Sequence, residues 1–418
     1  MKPIKIYELL KNLSFSYSTD TREDQEGKLF FALKGDNFNG NKFAEEALKK
    51  GAKYAIVDEV EYKTSENIIL VNDVLETLQE LANFHRNKLK IPIIALTGSN
   101  GKTTTKELIN AVLSTTYKTS ATKGNLNNHI GVPLTLLSMT AATEIGIVEM
   151  GANHHHEIEF LSKIASPDYG YITNFGSAHL EGFGSLEGVV KAKSEMYEYL
   201  SNNNKKVFVN PTDTTQVEKT KDLQTVFFAK DVRFIDANPF VKLSFKNIEI
   251  QSNLIGAYNF SNIAAAITIG HYFKISEEKI KEAIENYTSS NNRSQIVKTA
   301  RNTIVLDAYN ANPTSMKAAL DSFKNLKDVK KVVVLGDMFE LGDFSFSAHQ
   351  KIVDTVCNYD FDNAFFIGKQ FYKSRTTNHR FKSFEDFQIY LTENPIKDST
   401  ILIKGSRGMK LERTIDFC

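Results

Sequence analysis

At 418 residues the chain exceeds the usual span of one domain, so two to four domains are expected, and 41% hydrophobic with 24% charged residues favours buried cores over disorder. Lys and Arg number 51 against 50 Asp and Glu, which removes any whole-chain field for nucleic acid or an anionic membrane and leaves anion binding to local sites. Two cysteines, Cys357 and Cys418, make no disulfide framework, and no segment, the N-terminal MKPIKIYELLKNLSF included, is apolar over the roughly 18 residues of a membrane span, so a soluble cytoplasmic protein is expected.

Residues 1–88 carry short apolar runs, Lys28-Leu-Phe-Phe-Ala-Leu33 and Ala52-Lys-Tyr-Ala-Ile-Val57, between Gly and Asn turns, the pattern of a small α/β unit. Val74, Leu75, Leu78, Leu81 and Ala82 recur at helical spacing and predict a helix over 73–88. Residues 89–290 open with Ile91-Pro-Ile-Ile-Ala-Leu96, a strand buried on both faces, followed after Lys102 by an amphipathic helix. Strand patterns recur at 145–148, 169–173 and 207–209, which predicts a parallel sheet wrapped by helices. Beyond the polar stretch 288–292, strands at 303–306, 332–335, 364–367 and 401–403 alternate with helices and predict a third, doubly wound α/β domain over 291–418.

Between the first buried strand and its helix lies Thr97-Gly-Ser-Asn-Gly-Lys-Thr-Thr-Thr105. Backbone N–H groups of Gly98, Ser99, Asn100, Gly101 and Thr104 and the helix N-terminus suit phosphate oxygens, Lys102 would neutralise the β and γ phosphates, and the Thr103 hydroxyl would ligate magnesium. Leu96 stands where the common G-x-x-x-x-G-K-[ST] loop has its first glycine, so the ordinary kinase or GTPase reading is weakened. His154-His155-His156 cannot converge on one metal from a regular element and reads as a polar helix entry.

The compact T-G-x-x-G-K-T-T loop resembles that of the Mur ligases, and further segments similar to that family follow in order: 121–133 (ATKGNLNNHIGVP), 149–153 (EMGAN) and 172–181 (ITNFGSAHLE). Ser18-Thr-Asp-Thr-Arg22 with Leu29–Gly35 is similar to the family's UDP-sugar domain, and 307–313 (DAYNANP), 335–342 (LGDMFELG) and 404–408 (KGSRG) are similar to the member that adds a dipeptide. The resemblance spans essentially the whole chain. It implies an ATP-dependent amide ligase joining D-alanyl-D-alanine to UDP-N-acetylmuramoyl-tripeptide through an acyl phosphate, with lysine or diaminopimelate as the third peptide residue. The nearest alternatives, a sister ligase for a single diamino acid and a folylpolyglutamate synthase, are built on the same central domain; the diamino-acid ligase would carry a D-N-P-R motif, which this sequence lacks, and 307–313 with 335–342 favours the dipeptide-adding member. A monomer without a membrane span and without a nucleic-acid partner is expected.

The resemblance also assigns residues that the sequence alone leaves ambiguous. Glu149 by itself is a strand-end carboxylate, His179 a loop histidine and Lys193 a solvated helix lysine; by resemblance all three join Thr103 around magnesium, with Lys193 carbamylated. Lys191 and Lys193 are two apart on a helix, so only one of them can face the site. Asn259 matches the adenine contact, beside Tyr258 where the family usually has histidine, and Asp307 matches the ribose contact. Arg293 matches a contact to the terminal phosphates, so Lys102, His179, Lys193 and Arg293 form the expected catalytic set. Substrate contacts are implied for Thr19, Asp20, Thr21, Arg22, Asn125, Asn127, Asn128, Tyr309, Asn310 and Asn312.

Overall fold

The computed structural model describes residues 3–327 and 329–418. It is mixed α/β and falls into two compact units, one of residues 1–95, 118–151 and 157–169, the other of 96–117, 152–156 and 170–418.

In the first unit, four short parallel strands pair in the order Tyr17–Ser18, Leu29–Phe31, Tyr54–Val57, Ile68–Leu70. Phe30, Ala55, Val57 and Ile68 from this sheet pack with Ala44, Ala47 and Ala52, small residues that let the helix Ala44–Lys49 approach closely. The expected helix is present as Val74–Leu89: Asp73 caps it by accepting from Glu76 N–H (2.7 Å), and Val74, Leu78, Leu81 and Ala82 are buried while Leu75 is only partly so. This helix packs on Pro3–Asn12, Gly131–Leu137 and Glu157–Ala165.

A six-stranded sheet has the order Gln224–Phe227, Lys206–Val209, Tyr169–Ile172, Ile93–Thr97, Ile145–Glu149, Thr119–Ala121. Later strands lie on either side of Ile93–Thr97, so the topological switch, where α/β sheets place ligands, falls at the strand that feeds the glycine-rich loop. Ile93–Thr97 and Ile145–Glu149 are buried at every residue, as near-continuous apolar runs predict.

In the second unit, the C-terminal sheet runs Gln295–Lys298, Asn302–Asp307, Ser399–Lys404, Lys331–Gly336, Asn363–Ile367, His379–Phe381, the first pair antiparallel and the rest parallel. Alternate residues feed two cores. Val305, Val333, Leu335, Phe366 and Leu402 meet the helices Pro313–Lys324 and Ser345–Cys357, whereas Ile304, Val334, Phe365, Ile367 and Ile403 meet Phe384–Glu393. Both faces are covered, which is the doubly wound arrangement expected from sequence.

The three antiparallel strands Val232–Ala237, Phe240–Phe245 and Ile248–Ile255 have no counterpart among the sequence expectations. Their signal is alternation: Val241, Leu243 and Phe245 are buried between half-buried neighbours, and Lys246 (φ 46°) and Asn247 (φ 67°) form a two-residue turn with both residues left-handed, the geometry that suits hairpin twist.

Candidate active site

The glycine-rich loop joins the strand Ile93–Thr97 to the helix Lys102–Ser114. Gly98 has φ 143° and a Cβ there would collide with Thr173 Oγ1; Gly101 has φ 78° and a Cβ would lie 2.6 Å from Asn262 Oδ1. Only glycine fits either place. Gly101 opens the helix without a side-chain cap, so the helix presents its amino end and partial positive charge to the loop's concave side. Lys102 is folded over the loop, its Nζ donating to Gly98 O (2.7 Å).

The segment after the strand Tyr169–Ile172 holds the loop from behind. Ser99 N–H donates to Asn174 O (3.1 Å) and Asn100 N–H to Asn174 Oδ1 (3.2 Å), while Thr173 Oγ1 (2.6 Å) and Asn174 Nδ2 (2.9 Å) both donate to Asn100 O. Thr173 and Asn174 are therefore part of the loop's scaffold, a role that sequence reading missed although both lie in the quoted run 172–181. The signal was their position, directly after a buried strand. Thr105 Oγ1 donates to Asn262 Oδ1 (3.0 Å), tying the loop helix to the helix Asn259–Tyr272 that packs on it.

In the first unit, Glu149 ends its strand almost fully buried, accepts from Asn127 Nδ2 (2.8 Å) and is fixed at its backbone N–H by Thr122 Oγ1 (2.9 Å). Asn128 Oδ1 accepts from Ile130 N–H (3.1 Å) and Gly131 N–H (2.9 Å) at the start of the helix Gly131–Leu137, and Asn125 O accepts from Asn127 N–H (2.7 Å). Asp20 is held down to about 2 by hydrogen bonds from Arg22, whose side chain is otherwise 88% exposed; Thr21 is buried, and Thr19 half-buried.

The second unit gathers His179 and Lys193 around one ring. Lys193 lies on the helix Leu186–Asn202 with 1% of its surface exposed, whereas Lys191 is exposed, so the helix divides the two lysines as its period requires. Lys193 Nζ sits 5.5 Å from the Phe183 ring centroid, with the rings of His155 (5.7 Å) and His179 (6.4 Å) edge-on to the same phenyl. The electron-rich face of Phe183 suits a cation. Phe183 was not among the sequence candidates; its place after His179 at the end of a one-turn helix is the cue. His154–His156 form the turn before Glu157–Ala165, where His156 N–H donates to Glu195 Oε1 (2.8 Å). Among the described residues no three His, Cys, Asp or Glu side chains cluster to hold a metal.

His179 is left-handed (φ 54°) and its Nδ1 lies against the Glu340 carboxylate, a contact that holds Glu340 below the usual carboxylate range. Nearby, Ser177 N–H donates to Thr314 Oγ1 (3.0 Å) and Asn312 Nδ2 to Asn100 Oδ1 (2.7 Å), so the glycine-rich loop and the 176–181 segment are stitched to residues 312–340.

Asn259 is buried with both ends of its amide engaged, Nδ2 on Ile255 O (2.8 Å) and Oδ1 accepting from Asn262 Nδ2 (2.8 Å). Tyr258 OH pairs with Ser294 Oγ (2.9 Å), and burial pushes this phenol well up. Asp307 Oδ2 accepts from Lys404 Nζ (2.6 Å), a lysine 2% exposed that also reaches Asn310 O (3.3 Å). The Arg293 guanidinium stacks 3.6 Å from the Tyr309 ring centroid.

Three family models match the chain: the Mur ligase family catalytic domain over residues 16–91, the Mur ligase middle domain over 96–270, and the Mur ligase glutamate ligase domain over 292–407. The UDP-N-acetylmuramoyl-tripeptide–D-alanyl-D-alanine ligase of Bacillus subtilis is 36% identical over 95% of this chain and 92% of that protein. The chain belongs to the Mur ligase family. Among solved Mur ligases, MurF from Acinetobacter baumannii is similar with a TM-score of 0.86 at 29% identity, covering 98% of this chain and 97% of that one. MurF ligase from Thermotoga maritima, solved with ADP, gives 0.85 at 26% identity and 97% of each chain. The fold class expected from sequence is thus that of this family, and among the described residues no helix is long and apolar enough to cross a membrane.

Proposed function

We propose that this Mur ligase joins D-alanyl-D-alanine to UDP-N-acetylmuramoyl-tripeptide with hydrolysis of ATP to ADP and phosphate. The observation that carries this reading is its near-full-length similarity to an enzyme named for that reaction. In it, a substrate carboxylate oxygen attacks the γ phosphorus of ATP and ADP leaves. The dipeptide amine then attacks the acyl carbon, phosphate departs with one former carboxylate oxygen, and the amine's surplus proton is released.

Residues 1–88 are proposed to take the UDP-sugar end through Thr19, Asp20, Thr21 and Arg22, residues 89–290 to bind ATP, and 291–418 to present the amine acceptor. Gly98 to Thr104 cradle the phosphates, and Lys102, already over the loop, offsets repulsion between the two anions as they meet. Arg293 and Asp307 are assigned to the terminal phosphates and ribose, and Asn259 to adenine, which would replace the intrachain partners of its amide. Asn125, Asn127, Asn128, Tyr309, Asn310 and Asn312 are assigned to the peptide and the acceptor.

Thr103, Glu149, His179 and Lys193 are the residues proposed to hold magnesium, which when bound neutralises phosphate charge. The donor set fits on one condition: magnesium prefers anionic oxygen, and the set has a single carboxylate, so a carbamate on the buried Lys193 supplies the second. A cytoplasmic monomer belongs to this reading, and the free cysteines Cys357 and Cys418 are in keeping with a reducing compartment.

The test is phosphate release across a panel of UDP-muramoyl peptides and amines. Release that requires both the tripeptide and D-alanyl-D-alanine supports the reading; equal release with a single diamino acid, or with no amine, overturns it.

A further inference from the structure

We infer that Glu340 is a positioning residue for His179: its carboxylate fixes the Nδ1 side of the imidazole and leaves Nε2 as the nitrogen for a divalent cation. This rests on the reading of His179 as a magnesium ligand given above.

Three observations meet here. The Glu340 carboxylate lies against His179 Nδ1, and Glu181 N–H donates to Glu340 O (3.3 Å), so residue 340 grips the 179–181 segment by side chain and main chain. The Phe183 ring stands edge-on to the imidazole, 6.4 Å between ring centroids. His179 (φ 54°) and Glu340 (φ 61°) both hold left-handed backbone, which L residues adopt only where surroundings impose it.

Exposure decides what the pair does. The Glu340 side chain is 52% exposed and that of His179 18%, and ion pairs so open to water contribute little to stability. Orientation is what remains. A metal-binding histidine is commonly held by a carboxylate on its other nitrogen, and removing such a partner weakens metal affinity about 10- to 100-fold. Because Glu340 belongs to the segment 335–342 and His179 to 172–181, the ring's aim also depends on the seating of the C-terminal part of this unit against the loop.

The experiment is direct Mn2+ titration of the ADP-saturated enzyme, following free Mn2+ by electron paramagnetic resonance, with melting temperature recorded alongside. Glu340→Gln should weaken Mn2+ binding about tenfold with little change in melting, Glu340→Asp should restore part of it, and the His179→Ala, Glu340→Gln double variant should bind no more weakly than His179→Ala alone. If His179→Ala binds Mn2+ normally, the metal role of His179 fails and this inference with it. If His179→Ala weakens binding while Glu340→Gln binds like the unaltered enzyme, the histidine reading stands and the role given to Glu340 is overturned.

Discussion

Lys193 and Lys191 show how far single residues can be read. Their divergence follows from helix period alone, and the structure buries the first and exposes the second. What Lys193 meets is another matter: Phe183 arrives from a separate short helix that no local pattern announces. If the buried amine carries a carbamate, the missing charge is replaceable. Lys193→Ala should be nearly inactive and regain part of its turnover in millimolar acetate or formate, whereas Lys191→Ala should need neither; full activity of Lys193→Ala without added carboxylate would show the carbamate to be dispensable. Asp307 teaches the complementary lesson. Its ribose assignment came from resemblance, but the structure adds a buried cation, Lys404, that it neutralises. Asp307→Ala should therefore cost about 3–5 kcal/mol in chemical denaturation besides raising the Michaelis constant for ATP, because it strands a buried charge. An unchanged denaturation midpoint would refute the structural half of that statement.

At the level of elements, the parallel strands were legible because burial on both faces writes them as unbroken apolar runs. The antiparallel strands over 232–255 were harder: half their residues face outward, and the Lys246-Asn247 turn lacks the glycine that advertises most hairpins. Helix starts were written in side chains. Asn312 caps Pro313–Lys324 in a reciprocal box with Ser315, while its Nδ2 reaches Asn100 in the phosphate loop. These two duties separate by substitution. Asn312→Asp keeps a good cap but turns the donor toward Asn100 into an acceptor, so it should melt near the unaltered enzyme while losing activity; Asn312→Ala should lose both, with about 1 kcal/mol of stability. Equal activity in all three would remove Asn312 from the working site.

For the molecule as a whole, the order of motifs sufficed for the fold class. The tertiary ties did not show, because the partners are remote in sequence: Asn312 meets Asn100 across 212 residues, and Glu107 on the loop helix accepts from Tyr287 OH (2.6 Å) and Asn291 Nδ2 (2.8 Å) across 180 and 184. Those bonds hold the stretch leading to Arg293 onto the phosphate-loop helix, and only folding reveals them. The central claim is that the chain activates a carboxylate by phosphorylation before the dipeptide amine attacks. Tripeptide substrate labelled with 18O in its reacting carboxylate tests it most directly, by mass spectrometry of the phosphate formed. One 18O atom should appear in each phosphate released, with equal amounts of pentapeptide and ADP; unlabelled phosphate alongside normal pentapeptide formation would contradict the acyl phosphate route.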